Sequence, residues 1–262
     1  VKTLQCFDSN CTHQLNHSPT LLSNCMFNKE QIKNILFLDI ETASSVPEYA
    51  QLSERMQELW DKKANRYRRG DDAEKSSAEL FTEKAGIHAE FARVVCISCG
   101  YIQFDEDTPS MTMKSYGGEN EHEILTEFGK MLDKYTAVKG GRTLCAHNGK
   151  EFDYPFLGRR YVINQIRIPY SLQVQGKKPW EVNLLDTMEL WKFGDYKSYT
   201  SLNLLSAVLD IPSPKDDIDG SDVGRVFWQE KDHERIRIYC EKDVRTTAQV
   251  MLRMNRFPLM EQ

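Results

Sequence analysis

The sequence predicts an α/β fold, a mixed β-sheet flanked by helices on both faces. Three observations carry this. Apolar runs of strand length recur at 34–40, 94–104, 110–116, 142–146 and 182–186. Helical periodicity separates the later runs and dominates after them. The first three runs can form a meander, whereas the later strands alternate with helices, which asks for parallel pairing and a helix layer on each side. In a chain of 262 residues, one domain over 34–255 is the simplest account.

Residues 1–33 are rich in Asn, Ser, Thr, Cys and His and lack apolar periodicity, so a loosely ordered leader is expected. Met26 is a candidate first residue, with 1–25 an upstream extension. The run 34–40 (NILFLDI) reads as a buried strand. A long charged segment, 46–88, then reads as an insertion. Within it, Leu52, Met56, Leu59 and Trp60 have helical spacing, Gly70-Asp71-Asp72 breaks the chain, and 77–85 is a second helix. Strands at 94–104 and 110–116 follow, closed by Gly117-Gly118. A helix over 120–135 carries Ile124, Leu125, Phe128, Met131 and Leu132, with Glu121 and Glu123 in the first turn, where the helix dipole favours acids. The strand 142–146 leads into a helix over 152–164, whose first turn tolerates Pro155. After the strand at 182–186 come helical 187–193 and 200–209, a turn-rich stretch at 219–226, and one long helix over 233–253. Residues 256–262 are left as a tail.

The formal net charge of −5 gives no basic footprint, so nucleic-acid binding would have to come from local patches. No apolar run approaches a membrane span. Seven cysteines without a secretory apolar segment predict reduced thiols and a cytoplasmic protein. Cys96 and Cys99 form a C-x-x-C, but three residues apart on a strand they point to opposite faces. No second pair completes a zinc site.

Three acidic elements stand out. Asp39 and Glu41 lie at the end of the first strand; residues two apart face the same side. Two carboxylates there raise each other's pKa unless cations neutralise them, and hard cations such as Mg²⁺ or Mn²⁺ take oxygen ligands. A solvated strand end is the plain alternative. Asp153 follows an Asn148-Gly149 turn and opens a helix, where a cap is the alternative. Tyr239 and Asp243, four apart, share a face of the long helix. Together four acids suit phosphodiester hydrolysis, in which two cations about 4 Å apart activate a water and stabilise the leaving oxygen. Tyr239 could orient that water.

These residues resemble the DEDD superfamily of 3′→5′ exonucleases, tyrosine subtype. Asp39-Ile40-Glu41-Thr42 is similar to its first motif. Asn148 with Phe152-Asp153-Tyr154-Pro155-Phe156-Leu157 is similar to its second, in the form found in proofreading domains of family B DNA polymerases. Tyr239-x-x-x-Asp243 is similar to its third. The resemblance spans about 34–253. It is strongest to the bacterial stand-alone group described as predicted, PolB-like 3′→5′ exonucleases, which 84–98 (KAGIHAEFARVVCIS) and 183–191 (NLLDTMELW) also resemble. No polymerase palm is expected in the few residues after Arg253.

The resemblance implies a ribonuclease H-like fold and two Mg²⁺ or Mn²⁺ ions. Asp39, Glu41 and Asp243 would bind one ion, with Asp39 bridging to the second. Asp153 would hold the second ion or its water. Ile40 and Thr42 would lie near the terminal nucleotide, and Asn148 near the scissile region. The expected substrate is the 3′ end of single-stranded DNA, the products are nucleoside 5′-monophosphates, and the setting is DNA repair or service to a separate polymerase. The alternatives are a 3′→5′ exoribonuclease and a non-catalytic nucleic-acid-binding module. The 46–88 insertion departs from typical proofreading domains.

Other residues read two ways. Lys62, Lys63 and Arg66, with Arg68 and Arg69, could grip a phosphate backbone while Tyr67 stacks on a base, or could form a solvated helix face. Arg159 and Arg160 could track phosphates or sit on a helix surface. His147 is assigned a structural role in preference to that of a general base. Asp186 is assigned as a helix cap in preference to a fifth acid.

Overall fold

The computed structural model describes residues 26–137, 142–178, 181–212 and 217–261. The question of residues 1–25 therefore lies outside the described residues. The preceding expectation fails at the end of the leader: Lys29–Lys33 is a helix (α1), opened by an Asn28–Gln31 capping box, with Ile32 wholly buried. The expected tail is packed too. Met260 is buried, and its backbone N–H and carbonyl bond to the Gln249 side chain.

Strand β1 (Ile35–Ser44) is the centre of a five-stranded sheet of order β3-β2-β1-β4-β5. It pairs antiparallel with β2 (Ala92–Asp105), which pairs antiparallel with β3 (Thr108–Gly117). The β2–β3 turn has two residues, with Glu106 left-handed (φ 50). On the other side β4 (Thr143–Ala146) and β5 (Leu184–Asp186) run parallel to β1. The mixed sheet is thus the one the sequence predicts, but β1 runs past Glu41 to Ser44, with a bulge between Glu41 and Thr42. The acids sit within a strand, not at its end.

The insertion has its own core. Its helices α2 (Glu54–Ala64) and α3 (Ser77–Lys84) enclose Trp60, Leu80 and Phe81. The Trp60 ring meets Phe81 and Phe91 edge-on at 5.3 and 5.1 Å, and its indole N–H donates to the Ser77 carbonyl at 2.8 Å. A single turn at Ala85–Ile87 returns the chain to β1, where the Thr42 hydroxyl donates to the Gly86 carbonyl at 2.7 Å.

Helices α4 (Glu121–Thr136) and α5 (Asp153–Ile163) cover one face of the sheet. There Leu36, Leu38 and Ile40 of β1 pack with Leu125, Phe128, Phe156 and Leu157. After α6 (Thr187–Lys192) and α7 (Leu202–Val208), the stretch 219–226, expected to be turn-rich, contains α8 (Val223–Arg225) and leads into a π-helical turn at Val226–Glu230. Helix α9 (His233–Met254) covers the opposite face. Val244, Ala248, Met251 and Leu252 meet Ile35 and Phe37, while Ile236 and Cys240 meet Ala43. Cys96 and Cys99 fall into different core clusters on opposite faces, as the strand geometry requires.

Arg160 corrects the expectation for its helix. It is 7 % exposed, and its guanidinium forks onto Glu121 at 2.8 and 2.6 Å and reaches the Ala89 carbonyl at 2.7 Å. Glu121 also accepts the Val94 N–H at 2.8 Å. Glu121 is therefore a buried partner that ties α4, α5 and β2, and Arg160 is not available to phosphate. Removing one member of a buried pair strands the other charge, at about 3–5 kcal/mol. Arg160→Ala should lower stability by roughly that amount in urea unfolding; a loss below about 1 kcal/mol would show that the pair does not anchor α5.

Candidate active site

Alternation along β1 sends Ile35, Phe37, Asp39, Glu41 and Ala43 toward α9. Apolar contacts close this face above and below, in one cluster around Ile35 and Phe37 and another around Ala43. Between them the strand presents two acids. Helix α9 answers with Tyr239, Cys240 and Asp243, which its spacing directs to the same level. Ligand atoms of Asp39, Glu41 and Cys240 lie within 4.8 Å of one another.

Asp153 arrives from the other face. Strand β4 pairs only with Ile35–Phe37 of β1, because its register ends at Cys145. Beyond that point the β1 edge has no neighbouring strand on this side. The first turn of α5 fills the place, and the Asp153 carboxylate accepts the Ile40 N–H and its own backbone N–H. Asp153 thus enters the acidic cluster through a gap left by a short strand.

The turn that delivers Asp153 is clamped. Asn148 is left-handed (φ 61), a conformation Asn tolerates. A Cβ on Gly149 would lie 2.4 Å from the Ala146 Cβ and 3.4 Å from Asp153 Oδ2. Asp186 accepts the Asn148 N–H at 2.9 Å and the Lys150 N–H at 3.1 Å, while capping α6 through the Met188 N–H at 2.9 Å. Asp186 is the expected cap, and it also holds the turn in place. His147 donates from Nε2 to the Thr200 carbonyl at 2.9 Å, and its Nδ1 faces the Thr187 hydroxyl at 2.9 Å. Both ring nitrogens are engaged and burial lowers its pKa, which suits the structural role.

The electrostatics are adverse. Burial, and then the charges of Glu41, Asp153 and Asp243, hold the Asp39 carboxyl well above its usual range. Glu41 is raised by burial and by Asp243. Burial pushes Asp153 up to about 7, with Asp186 adding to it. Asp153 Oδ1 and Asn148 Oδ1 are buried without a hydrogen-bond partner. A set of carboxylate oxygens with an orphaned acceptor fits a hard divalent cation. Cys240 was not singled out by the sequence reading, although it lies three before Asp243 on the same face. Burial keeps its thiol protonated, and Sγ approaches Asp39 Oδ2 at 3.5 Å and the Asp39 carbonyl at 3.4 Å. It serves as a donor to Asp39, not as an anionic ligand.

Ile40 is buried in the core below the acids, and Thr42 opens onto a groove of about 560 Å³ that Lys84, Arg225 and Trp228 also line. The π-helical turn thereby borders the site; its indole N–H, from Trp228, donates to the Ser44 carbonyl at 3.1 Å. The basic cluster is only partly available. Tyr67 packs in the insertion core, with its hydroxyl 2.5 Å from His88 Nε2. Arg68 bonds to the Lys75 carbonyl at 3.0 Å and the Ser77 hydroxyl at 2.9 Å. Lys62 and Arg66 are exposed and Lys63 is half-buried. Tyr67 is thus held as packing rather than presented to a base.

Comparison with known proteins bears on the family and the fold. A family described as "Predicted 3'-5' exonuclease related to the exonuclease domain of PolB" matches residues 86–259, which include Asp153, Tyr239 and Asp243 and begin after Asp39 and Glu41. The family B DNA polymerase of the hyperthermophilic archaeon Pyrobaculum calidifontis is similar in fold, with a TM-score of 0.52 at 13% identity over 81% of this chain. The chain spans 23% of that polymerase. No curated protein matches. The fold is ribonuclease H-like. Among the described residues, no helix is long and apolar enough to cross a membrane.

Three outcomes are expected. Asp153 holds its proton more tightly folded than unfolded, so its contribution favours folding below its ordinary value of 3.8 and is lost as pH rises through about 7. Mn²⁺ competes with those protons and should therefore raise Tm more at pH 8 than at pH 5 in thermal melts; equal shifts would separate the ion from these acids. Without metal at pH 8, Asp153→Asn should stabilise the protein by roughly 1–2 kcal/mol while removing the Mn²⁺ response. Gly149→Ala should lower activity at least as much as stability, because the added methyl displaces the turn that sets Asp153.

Proposed function

Because the chain belongs to the family of predicted 3′–5′ exonucleases related to the exonuclease domain of PolB, we propose that it hydrolyses the last phosphodiester bond at the 3′ end of single-stranded DNA. The products are nucleoside 5′-monophosphates. One observation carries the reading: Asp39, Glu41, Asp153 and Asp243 come from three separate elements, and their charges act on one another within one cluster, in which Glu41 and Asp153 are buried and Asp39 and Asp243 half-buried. A fold does not gather such acids for stability, since each raises the cost of ionising the others.

In this reading Asp39, Glu41, Asp153 and Asp243 would together hold two divalent ions. Bound Mg²⁺ or Mn²⁺ supplies a nucleophilic water at neutral pH and charge stabilisation at the leaving 3′-oxygen. The chain's own groups then set direction and geometry. The Tyr239 hydroxyl, one turn before Asp243, orients the attacking water. Asn148 stands near the reacting end, and the groove at Thr42 receives the terminal nucleotide. Lys62, Lys63 and Arg66 follow the phosphates from the insertion. The buried thiol of Cys240 keeps the Asp39 side chain in place.

The test is incubation with 5′-labelled single-stranded DNA in Mn²⁺ or in EDTA. A metal-dependent ladder is expected from the native chain. Asp39→Ala should remove it, a loss of roughly a thousandfold or more, and Tyr239→Phe should slow it by roughly ten- to a hundredfold. Full activity in Asp39→Ala would sink the assignment. The same ladder on RNA alone would replace DNA by RNA as the substrate.

A further inference from the structure

The link between α6 and α7 projects three aromatic rings into solvent: Phe193 at 81 %, Tyr196 at 90 % and Tyr199 at 68 % exposure. They recur at every third residue, and Lys192 and Lys197 stand among them. Exposed rings of this size leave apolar area in water with no gain to folding. Phe193 also ends α6 in the left-handed conformation (φ 45), where Gly or Asn would be less strained. The backbone beneath the rings is held. The Asp195 N–H bonds to the Lys192 carbonyl at 2.8 Å, and the Lys197 N–H bonds to Asp195 Oδ1 at 3.2 Å. At its far end the Thr200 carbonyl is fixed by His147, next to the turn that delivers Asp153.

Under this segment lies a groove of about 860 Å³, lined by Lys150, Tyr154, Lys177, Lys192 and Tyr196. Its acids are Glu151 and Glu189, and Glu189 is paired with Lys150 at 2.6 Å. Tyr154 and Pro155 of its wall belong to the first turn of α5, the turn that carries Asp153.

We propose that the 193–199 segment and this groove form a stacking platform for the single strand a few nucleotides upstream of the 3′ end. The proposal rests on the exonuclease reading. Bases stack on aromatic faces whatever their identity, and lysines beside them follow the backbone; this pairing is the chemistry of sequence-tolerant single-strand binding. Rings spaced singly between charges suit separate bases better than one continuous apolar protein contact. The platform also supplies a role that Tyr67, packed against His88, does not fill.

The experiment compares the native chain with Phe193→Ala/Tyr196→Ala/Tyr199→Ala. Fluorescence anisotropy is read with labelled dT20 and rU20, with Ca²⁺ replacing the proposed catalytic ions. The triple variant should bind at least tenfold more weakly, and the kcat/KM preference for dT20 over dT3 should fall by a similar factor. Lys192→Ala/Lys197→Ala should reduce the salt dependence of binding by roughly 1.4 in the log–log slope. Tyr196→Phe should keep affinity and Tyr196→Ala should lose it, which carries the test if the triple variant melts early. Equal affinity in native and triple variant overturns the platform and leaves the exonuclease reading intact. Failure of the native chain to bind either strand also overturns it. Ring-dependent binding without hydrolysis by the native chain upholds the platform and defeats the exonuclease reading instead.

Discussion

The constraint on which the architecture turns is the burial of like charges around β1. Asp39 and Glu41 occupy strand positions that would otherwise continue the apolar face of Ile35 and Phe37, and Asp153 and Asp243 are brought up beside them. Asp39, Glu41 and Asp153 resist ionisation because of burial and because of their neighbours. The protein offsets part of this with fixed donors: the Ile40 N–H toward Asp153 and the Cys240 thiol toward Asp39. The proposed divalent cations would suit this setting, because hard cations take oxygen ligands.

Such a cluster has to be held together against its own repulsion, and the sheet is built accordingly. β1 lies at the centre and is covered on both faces. α9 is locked by apolar contacts on either side of the acidic level, and α5 is locked through Arg160 and Glu121 to α4 and β2. The short β4 leaves the gap through which Asp153 enters. Asp186, capping α6 while holding the Asn148–Lys150 turn, couples the position of Asp153 to the next strand and helix. A polar residue that caps one helix thereby positions a second.

The surroundings of the cluster are asymmetric. On one side stand the insertion and the π-helical turn, joined to β1 by the Gly86–Thr42 and Trp228–Ser44 hydrogen bonds. On the other stands the link between α6 and α7, joined by His147 to the turn before Asp153. Each flank is thus tied by a hydrogen bond to the strand or turn that carries the acids. A shift of either flank would be felt at the acids, and π-helical turns often mark such sites.

Much was legible in the amino-acid order because it depends on local periodicity. The five strands and the long helices follow from alternation and 3.6-residue spacing, and Asp39, Glu41, Asp153, Tyr239 and Asp243 follow from short motifs that sit on them. What only the tertiary structure decided are matters of partnership between distant residues. Arg160 and Glu121 look like surface charges until α4 and α5 meet. Tyr67 looks free until His88 comes to it from the other end of the insertion. Cys240 looks inert until β1 lies beneath it. Ile32 and Met260 look like chain ends until the sheet offers them a core. Spacing along one chain fixes which face a side chain takes. Whether that face meets water, an apolar layer or an opposite charge depends on the element packed against it, and that element is remote in sequence.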